Sequence, residues 1–230
     1  MEKQSSNNEK IIERLKDLLD DNDTLELIQS QTMEFIKLMS CYRCALMEVE
    51  TKFRVLNEEY MLKNDRDPIS TIKTRLKSPA SIKEKLARRN APMTLEAMET
   101  RLDDIAGVRV ICSFPEDVYT IAEAFLKQDD IVLLEKKDYI AKPKPNGYRS
   151  LHIVVAIPIF LENEKRMMKV EIQFRTIAMD FWASLEHQLR YKKENQCSDE
   201  IAEELLQCAE LSAQLDLRMD RLRKSVLERD

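Results

Sequence analysis

The longest pattern in the chain is a seam of apolar residues in alternating steps of four and three: Phe35, Met39, Tyr42, Leu46, Val49, Phe53, Leu56 and Tyr60. Such spacing places every one of them on a single face of a helix, and no Pro or Gly interrupts the run before Pro68. A shorter amphipathic helix is expected ahead of it, over residues 11–19, ended by Asp20-Asp21-Asn22-Asp23. The C-terminal end repeats the pattern with Ile201, Leu205, Cys208, Leu215, Met219, Leu222 and Val226, with Ser212 at its weak position. A helix carrying such a seam needs a partner. That partner is either the central sheet of the same subunit or another subunit, and the length of the two helices favours both together.

Between the seams the period changes. Residues 108–113 form a short β-branched strand and residues 116–127 an amphipathic helix. Residues 131–139 read as a second strand, followed by a proline-rich loop over 141–147. Residues 150–160 and 167–176 then alternate as a hairpin with Glu162-Asn163 near its tip, and residues 177–193 close the core as a helix. On that last helix Phe181 and Trp182 read as ordinary core packing. The expected fold is α+β, a mixed central β-sheet of about five strands flanked by helices, with long N- and C-terminal helices.

A chain of 230 residues with 43% hydrophobic and 34% charged residues has globular composition and a heavily solvated surface. No apolar stretch approaches the ~20 residues that cross a bilayer, and the polar start of the chain carries no signal-peptide run. The expected compartment is the cytoplasm, with no membrane partner. Five cysteines without an export signal argue against a disulfide framework. Cys41 and Cys44 form a lone C-x-x-C inside a helical pattern, which reads as two reduced thiols rather than a metal site. The formal net charge of −5 speaks against wholesale coating by nucleic acid, though it leaves room for a local basic site.

The hairpin carries the most chemistry. Strand side chains alternate, so if Leu151, Ile153 and Val155 share the core with Val170, Ile172 and Phe174, then His152, Glu171, Gln173 and Arg175 share the opposite face. A solvent-washed antiparallel face would alternate in the same way. Asp104 supplies a second carboxylate at the entrance of the 108–113 strand. Carboxylates there and on a neighbouring strand can hold Mg²⁺, with substrate phosphates completing its coordination. Arg109, on that strand, is either a phosphate contact or an ion-pair partner for a carboxylate. Upstream, Lys73, Arg75, Lys77, Lys83, Lys85, Arg88 and Arg89 crowd one segment, opposed there only by Glu84. Ser78-Pro79 fits an N-cap followed by proline at the first helical position, and helical spacing then puts Lys85, Arg88 and Arg89 on one face. This concentration of charge suits a polyphosphate cradle. With only Gly107 and Gly147 in the chain, neither a P-loop nor a G-x-G-x-x-G dinucleotide turn can form. Phosphates have to be held by side chains. Tyr148, directly after Asn146-Gly147 and beside cations, reads as an aromatic exposed for stacking.

The loop Lys142-Pro143-Lys144-Pro145-Asn146-Gly147-Tyr148-Arg149-Ser150-Leu151-His152 resembles the synthetase motif of the RelA/SpoT-type alarmone synthetases. The match extends to Arg75-x-Lys77-Ser78-Pro79 with Lys85 and Arg88, to Asp104-Ile105-Ala106-Gly107-Val108-Arg109, and to Val170-Glu171-Ile172-Gln173-Phe174-Arg175-Thr176. Phe181-Trp182-Ala183 and Glu186-His187 continue it, so the resemblance runs in order over residues 30–195. The chain is similar to the small, single-domain members, the GTP pyrophosphokinases, whose sheet is nucleotidyltransferase-like. On that resemblance the chain divides into N-terminal helices over 1–62, a synthetase core over 63–195 and a C-terminal helix over 196–230, all one structural unit.

The resemblance implies transfer of the β,γ-pyrophosphate of ATP to the ribose 3′-hydroxyl of GDP or GTP, releasing AMP. Arg75, Lys77, Lys85, Arg88 and Arg109 would hold ATP. Asp104 and Glu171 would bind Mg²⁺, Glu171 also activating the hydroxyl as the catalytic base. Tyr148 would stack on guanine, with Lys144, Asn146, His152 and Gln173 around the acceptor nucleotide. It further implies a homotetramer joined through the long helices and, in some members, binding of single-stranded RNA. The long family members carry a hydrolase with a His-Asp pair; here His152 and His187 are the two histidines and neither precedes Asp, so synthesis without hydrolysis is expected. Ribosome-dependent control through a C-terminal regulatory region is likewise not expected. Two other readings stand beside this one. A polymerase-like nucleotidyltransferase would release pyrophosphate, but its usual Gly-Ser pair does not occur. An RNA-binding oligomer would use residues 73–89 and the basic end Arg218, Arg221, Arg223 and Lys224.

Overall fold

The computed structural model describes residues 22–64, 66–191 and 199–227, so the short helix expected over 11–19 lies outside the described residues. The chain divides between Cys41 and Tyr42. Of the first part the structure describes the N-terminal half of α1 (Asn22–Asn64). From Tyr42 onward the α1 seam is buried as its period requires, through Tyr42, Leu46, Val49, Phe53 and Leu56.

After α1 come β1 (Ile69–Leu76), α2 (Pro79–Arg88), α3 (Leu95–Arg101), β2 (Ala106–Cys112), α4 (Pro115–Leu126), β3 (Val132–Asp138), β4 (Leu151–Phe160), β5 (Lys165–Thr176), α5 (Ile177–Tyr191) and α6 (Asp199–Leu227). The strands form one mixed five-stranded sheet in the order β1-β2-β5-β4-β3. Only the β2–β5 pair is parallel. The α+β architecture with five strands agrees with the sequence. Alternation does not mark β1, because Thr71, Lys73 and Arg75 fill one of its faces and only Ile69 of its apolar residues is buried. Helix α3, only seven residues long, carries too few turns for a periodic signal.

One face of the sheet is apolar. Phe174 of β5 meets Phe53 of α1 edge-on at 5.6 Å between ring centroids, and Phe53 stacks on Phe125 of α4 at 4.5 Å. Leu151, Ile153 and Val155 pair with Phe174, Ile172 and Val170, so the hairpin register is the one its apolar positions demand. Lys52 closes the margin of this layer by hydrogen bonds to Gln128 and Asp130. Ser78 caps α2 through its hydroxyl, with Pro79 in the first turn, as the sequence implies.

The C-terminal helix divides the expected seam between two faces. Helix α6 packs on α5 through Leu205 and Ala209 and meets the end of β5 through Asp216, while Cys208, Leu215, Met219, Leu222 and Val226 of the expected seam are exposed. Both stripes have helical spacing, so period alone cannot choose between them. Short and hydrogen-bonded residues decide it: Ser212 donates to the Ala178 carbonyl, Thr176 donates to Asp216, and the Trp182 indole donates to the Leu205 carbonyl. Trp182 is buried as expected, but its neighbour Phe181 is 66% exposed.

The loop between β3 and β4 is fixed at both ends. Asp138 accepts from the backbone N–H groups of Ile140 and Ala141, and Ser150 donates to the Phe174 carbonyl. Within it, Gly147 N–H closes a turn onto the Lys144 carbonyl. Gly147 has φ +85°, and a Cβ there would lie 2.5 Å from Cβ of Ala209. The loop can approach α6 so closely only because that side chain is missing. Gly147→Ala should therefore destabilise the fold by about 1–3 kcal/mol, measured by urea unfolding. In a double-mutant cycle with Ala209→Gly the coupling should be favourable, since the second change removes the clash but not the backbone strain.

Candidate active site

The sheet's second face gathers the polar residues. Lys73, Arg109, Gln173 and His152 are cross-strand neighbours in one row, from β1 through β2 and β5 to β4. The next row runs Arg75, Gly107, Glu171 and Val154. His152, Glu171, Gln173 and Arg175 thus share a face, as the alternation requires. A cavity of about 270 Å³ opens on it, lined by Lys73, Arg75, Lys77, Asp104, Gly107, Arg109, Glu171 and Gln173. Gly107 leaves the floor open between Arg75 and Glu171.

Asp104 lies just before β2. Lys77, just after β1, and Lys85, in the last turn of α2, both reach its Oδ2, at 2.8 and 2.7 Å. Burial pushes the Asp104 carboxyl up, but the two lysine hydrogen bonds outweigh it and hold the group below the usual carboxylate range. Its other oxygen, Oδ1, is buried without a hydrogen-bond partner among the described residues. Glu171 moves the other way. Burial raises its pKa and the charge of Asp104 adds to that, against a hydrogen bond from Gln173 and the fields of Lys85 and Lys77. Two carboxylates of one cavity therefore hold protons with different strength, which suits one for cation binding and the other for proton transfer. Among the described residues no group of three or more His, Cys, Asp or Glu gathers as a metal site. Asp104 and Glu171 could hold a hard divalent ion only with water or substrate oxygens supplying the remaining positions.

Beside Glu171 stands a hydrogen-bonded chain. Arg175 donates to the Tyr148 hydroxyl at 2.8 Å and to Gln173 Oε1 at 3.0 Å. Gln173 donates in turn to Glu171 at 3.0 Å. The Tyr148 hydroxyl lies 2.8 Å from His152 Nε2. Arg175 fills one lone pair of the phenolic oxygen and leaves its proton free for Nε2. The other ring nitrogen, Nδ1, lies 4.0 Å from Glu171 Oε1. Burial, then Arg175 and Lys144, pull the His152 pKa down to about 4, so the ring is neutral at physiological pH.

Tyr148 is less free than the sequence implied. Half-buried, it packs against Trp182 and Ala209 on one side. Lys144 Nζ sits 4.9 Å from its ring centroid and 4.6 Å from that of Tyr139. Asn146 builds the turn: its Oδ1 accepts from Tyr148 N–H and its Nδ2 donates to Glu186.

The cationic segment is divided by the fold rather than presented as one face. Lys85 points to Asp104, whereas Arg88 is exposed beside Glu84 and Arg89 donates to the Arg101 carbonyl. Arg75 lines the cavity, and Lys73 and Arg109 turn to a carboxylate the sequence reading did not single out, Asp180. Nothing in the sequence distinguishes Asp180, because an acid in the first turn of a helix is ordinary. At the C-terminal basic end, Arg223 and Lys224 are paired with Glu116 and Asp220, while Arg218 and Arg221 are exposed.

Comparison with known proteins bears on this geometry. Residues 74–196 match the family model described as the region found in RelA / SpoT proteins. The chain is 44% identical over 185 residues to GTP pyrophosphokinase YwaC of Bacillus subtilis (strain 168), covering 80% of this chain and 88% of that one. Its fold matches the crystal structure of small alarmone synthetase 2 from Bacillus subtilis with a TM-score of 0.76 at 41% identity, over 84% of this chain and 99% of that one. Small alarmone synthetase 1 from the same organism, solved bound to its product pppGpp, matches with a TM-score of 0.76 at 35% identity over 84% and 98% of the two chains.

A carboxyl group whose pKa rises on folding favours the fold while protonated, and that contribution is lost as pH rises through the folded pKa. Ionised Glu171 therefore opposes folding at neutral pH. Glu171→Gln should raise the melting temperature by a few degrees at pH 7.5 in the presence of a chelator. The difference from the parent should shrink toward pH 4, where Glu171 itself takes up its proton; thermal melts at the two pH values check both.

Proposed function

The chain belongs to the RelA/SpoT family, and from that membership and the cavity geometry we propose that it is a GTP pyrophosphokinase making guanosine polyphosphate alarmones. It moves the β,γ-pyrophosphate of ATP to the 3′-hydroxyl of GDP or GTP. The 3′-oxygen forms a bond to the β-phosphorus, the bond from that phosphorus to the α-phosphate oxygen breaks, and AMP leaves. The observation that carries this reading is the pair of unequal carboxylates, Asp104 and Glu171, in one cavity walled by Lys77 and Arg75, with Lys85 paired to Asp104.

Each residue has a physical task. Glu171, with its raised pKa, accepts the hydroxyl proton. Arg75, Lys77, Lys85 and Arg109 hold the donor and neutralise charge growing on its phosphoryl oxygens, with Arg88 one helical turn beyond Lys85. Tyr148 offers the ring on which guanine stacks, and Lys144, His152 and Gln173 surround the acceptor; Asn146 acts by setting the turn that presents Tyr148. Asp104 and Glu171 would hold Mg²⁺, for which the unpartnered buried Oδ1 of Asp104 is the supporting feature. When bound, the ion supplies positive charge to the donor phosphates and lowers the cost of ionised carboxylates side by side.

No helix of the described residues is long and apolar enough to cross a membrane, which supports work in the cytoplasm. Self-assembly, as a tetramer, is supported by the apolar face that α5 and α6 leave uncovered. Phe181, Leu211 and Leu215 are each more than half exposed and line a groove with Ile177 and Met219. A Leu211→Glu, Leu215→Glu double variant should keep its helical content and lose mass in light scattering coupled to gel filtration; a parent chain that already elutes as a monomer would remove the assembly.

Supplied with ATP, GDP and Mg²⁺, the protein should yield AMP and a 3′-pyrophosphorylated guanosine nucleotide, resolved by anion exchange. Glu171→Gln should lower kcat by about 10²–10⁴-fold, the range for loss of a general base. Release of pyrophosphate, or no product from folded protein, refutes the assignment.

A further inference from the structure

Asp180 occupies the fourth position of α5, a helix whose start is capped by Thr176 accepting from Met179 N–H. An exposed acid there would need no comment. Asp180 is instead 8% exposed and takes charged donors from three adjacent strands. Lys73 of β1 reaches its Oδ2 at 3.0 Å; Arg109 of β2 and Arg175 of β5 reach its Oδ1 at 3.1 and 3.0 Å. These three cations otherwise repel one another across a partly buried face, where interactions between charges are strong.

The far ends of this cluster open onto the chemistry. Lys73 and Arg109 line the cavity that also holds Asp104 and Glu171. Arg175 hands its other nitrogen to two routes that both end at Glu171: through Gln173 by hydrogen bonds of 3.0 Å each, and through the Tyr148 hydroxyl and His152. One carboxylate thus sets the direction of a guanidinium on the phosphate side, a ring on the acceptor side and the carboxylate between them.

We propose that Asp180 is a positioning residue for pyrophosphate transfer, acting through Arg109 and Lys73 on the donor phosphates and through Arg175 on Tyr148, Gln173 and Glu171. It touches none of the reacting atoms. A buried ion cluster is weak evidence for stability by itself, since apolar side chains of equal volume commonly do as well. Its use here is orientation: small displacements of groups around reacting atoms cost about 10²-fold in rate. The inference rests on the synthetase reading above.

The test compares Asp180→Asn, nearly isosteric, with the parent chain in the ATP and GDP assay. The expected result has two parts. The kcat falls by about 10–100-fold, since the oriented groups loosen. The KM for ATP stays level or falls, because one negative charge fewer faces the phosphates, while the KM for GDP rises as Tyr148 loses its fixed partner. A folded Asp180→Asn protein with parental kcat and both parental KM values overturns the proposal. So does a loss of activity that matches the unfolded fraction in circular dichroism and leaves both KM values in place, for that is a structural role alone. Should the variant not fold, Asp180→Glu keeps the charge on a longer arm: a lowered kcat at parental KM for ATP supports positioning, and a parental kcat overturns it. A parent chain that makes no product removes the synthetase reading and this inference with it, whereas an active parent with an unaltered variant removes the inference alone.

Discussion

Two carboxylates face one small cavity, and the structure around them makes that arrangement tolerable without making it comfortable. Asp104 stays ionised because Lys77 and Lys85 both bind one of its oxygens. Glu171, buried beside the charge of Asp104 and, among the described residues, without an ion pair to a lysine, takes the cost as a raised pKa. The parallel pairing of β2 with β5 is what brings them together, since Gly107 lies beside Glu171 and Asp104 enters three residues earlier. Shift that pairing by one residue and Glu171 would turn into the apolar layer of Phe53, Phe125 and Phe174. The aromatic packing on the far face therefore holds the register on which the polar face depends.

The polar face is organised by direction as much as by charge. Cations from β1, β2 and β5 would present a diffuse positive field if left to solvent. Asp180 collects three of them at one point, and Arg175 carries that constraint toward the acceptor side. His152 is kept neutral by burial and then by Arg175 and Lys144, so it takes part as a neutral hydrogen-bonding ring rather than as a further positive charge. The loop bearing Tyr148 belongs to this scheme through its other surface, where Gly147 meets α6. Helix α6, distant in sequence, thereby helps place the ring on which a base would stack.

Helices α5 and α6 show how one surface can serve two demands. Their mutual contact uses small residues and hydrogen bonds, which permits close approach, and it leaves Phe181, Leu211, Leu215 and Met219 facing outward. A contiguous apolar face of this kind belongs at an interface. The helix that supports the loop bearing Tyr148 from one side carries, on its other side, the apolar face on which the proposed self-assembly rests.

Much of this was written locally. Alternation in the hairpin settled its register and named the four polar residues that share a face, because strand side chains take opposite sides without exception and only one register buries the apolar set. The α1 seam, the Ser78-Pro79 cap and the turn before Tyr148 were equally legible, each set by neighbours within a few residues. The motifs around Arg75, Asp104, Tyr148 and Glu171 led to the family. The tertiary structure alone decided which stripe of α6 faces inward, that Lys85 and not Arg88 meets Asp104, that Phe181 lies outside, and that Asp180 joins Lys73, Arg109 and Arg175. Those outcomes depend on which elements become neighbours and how closely they approach. A periodic sequence records that a face exists; what it meets is fixed only when distant segments compete for the same space and the same charges.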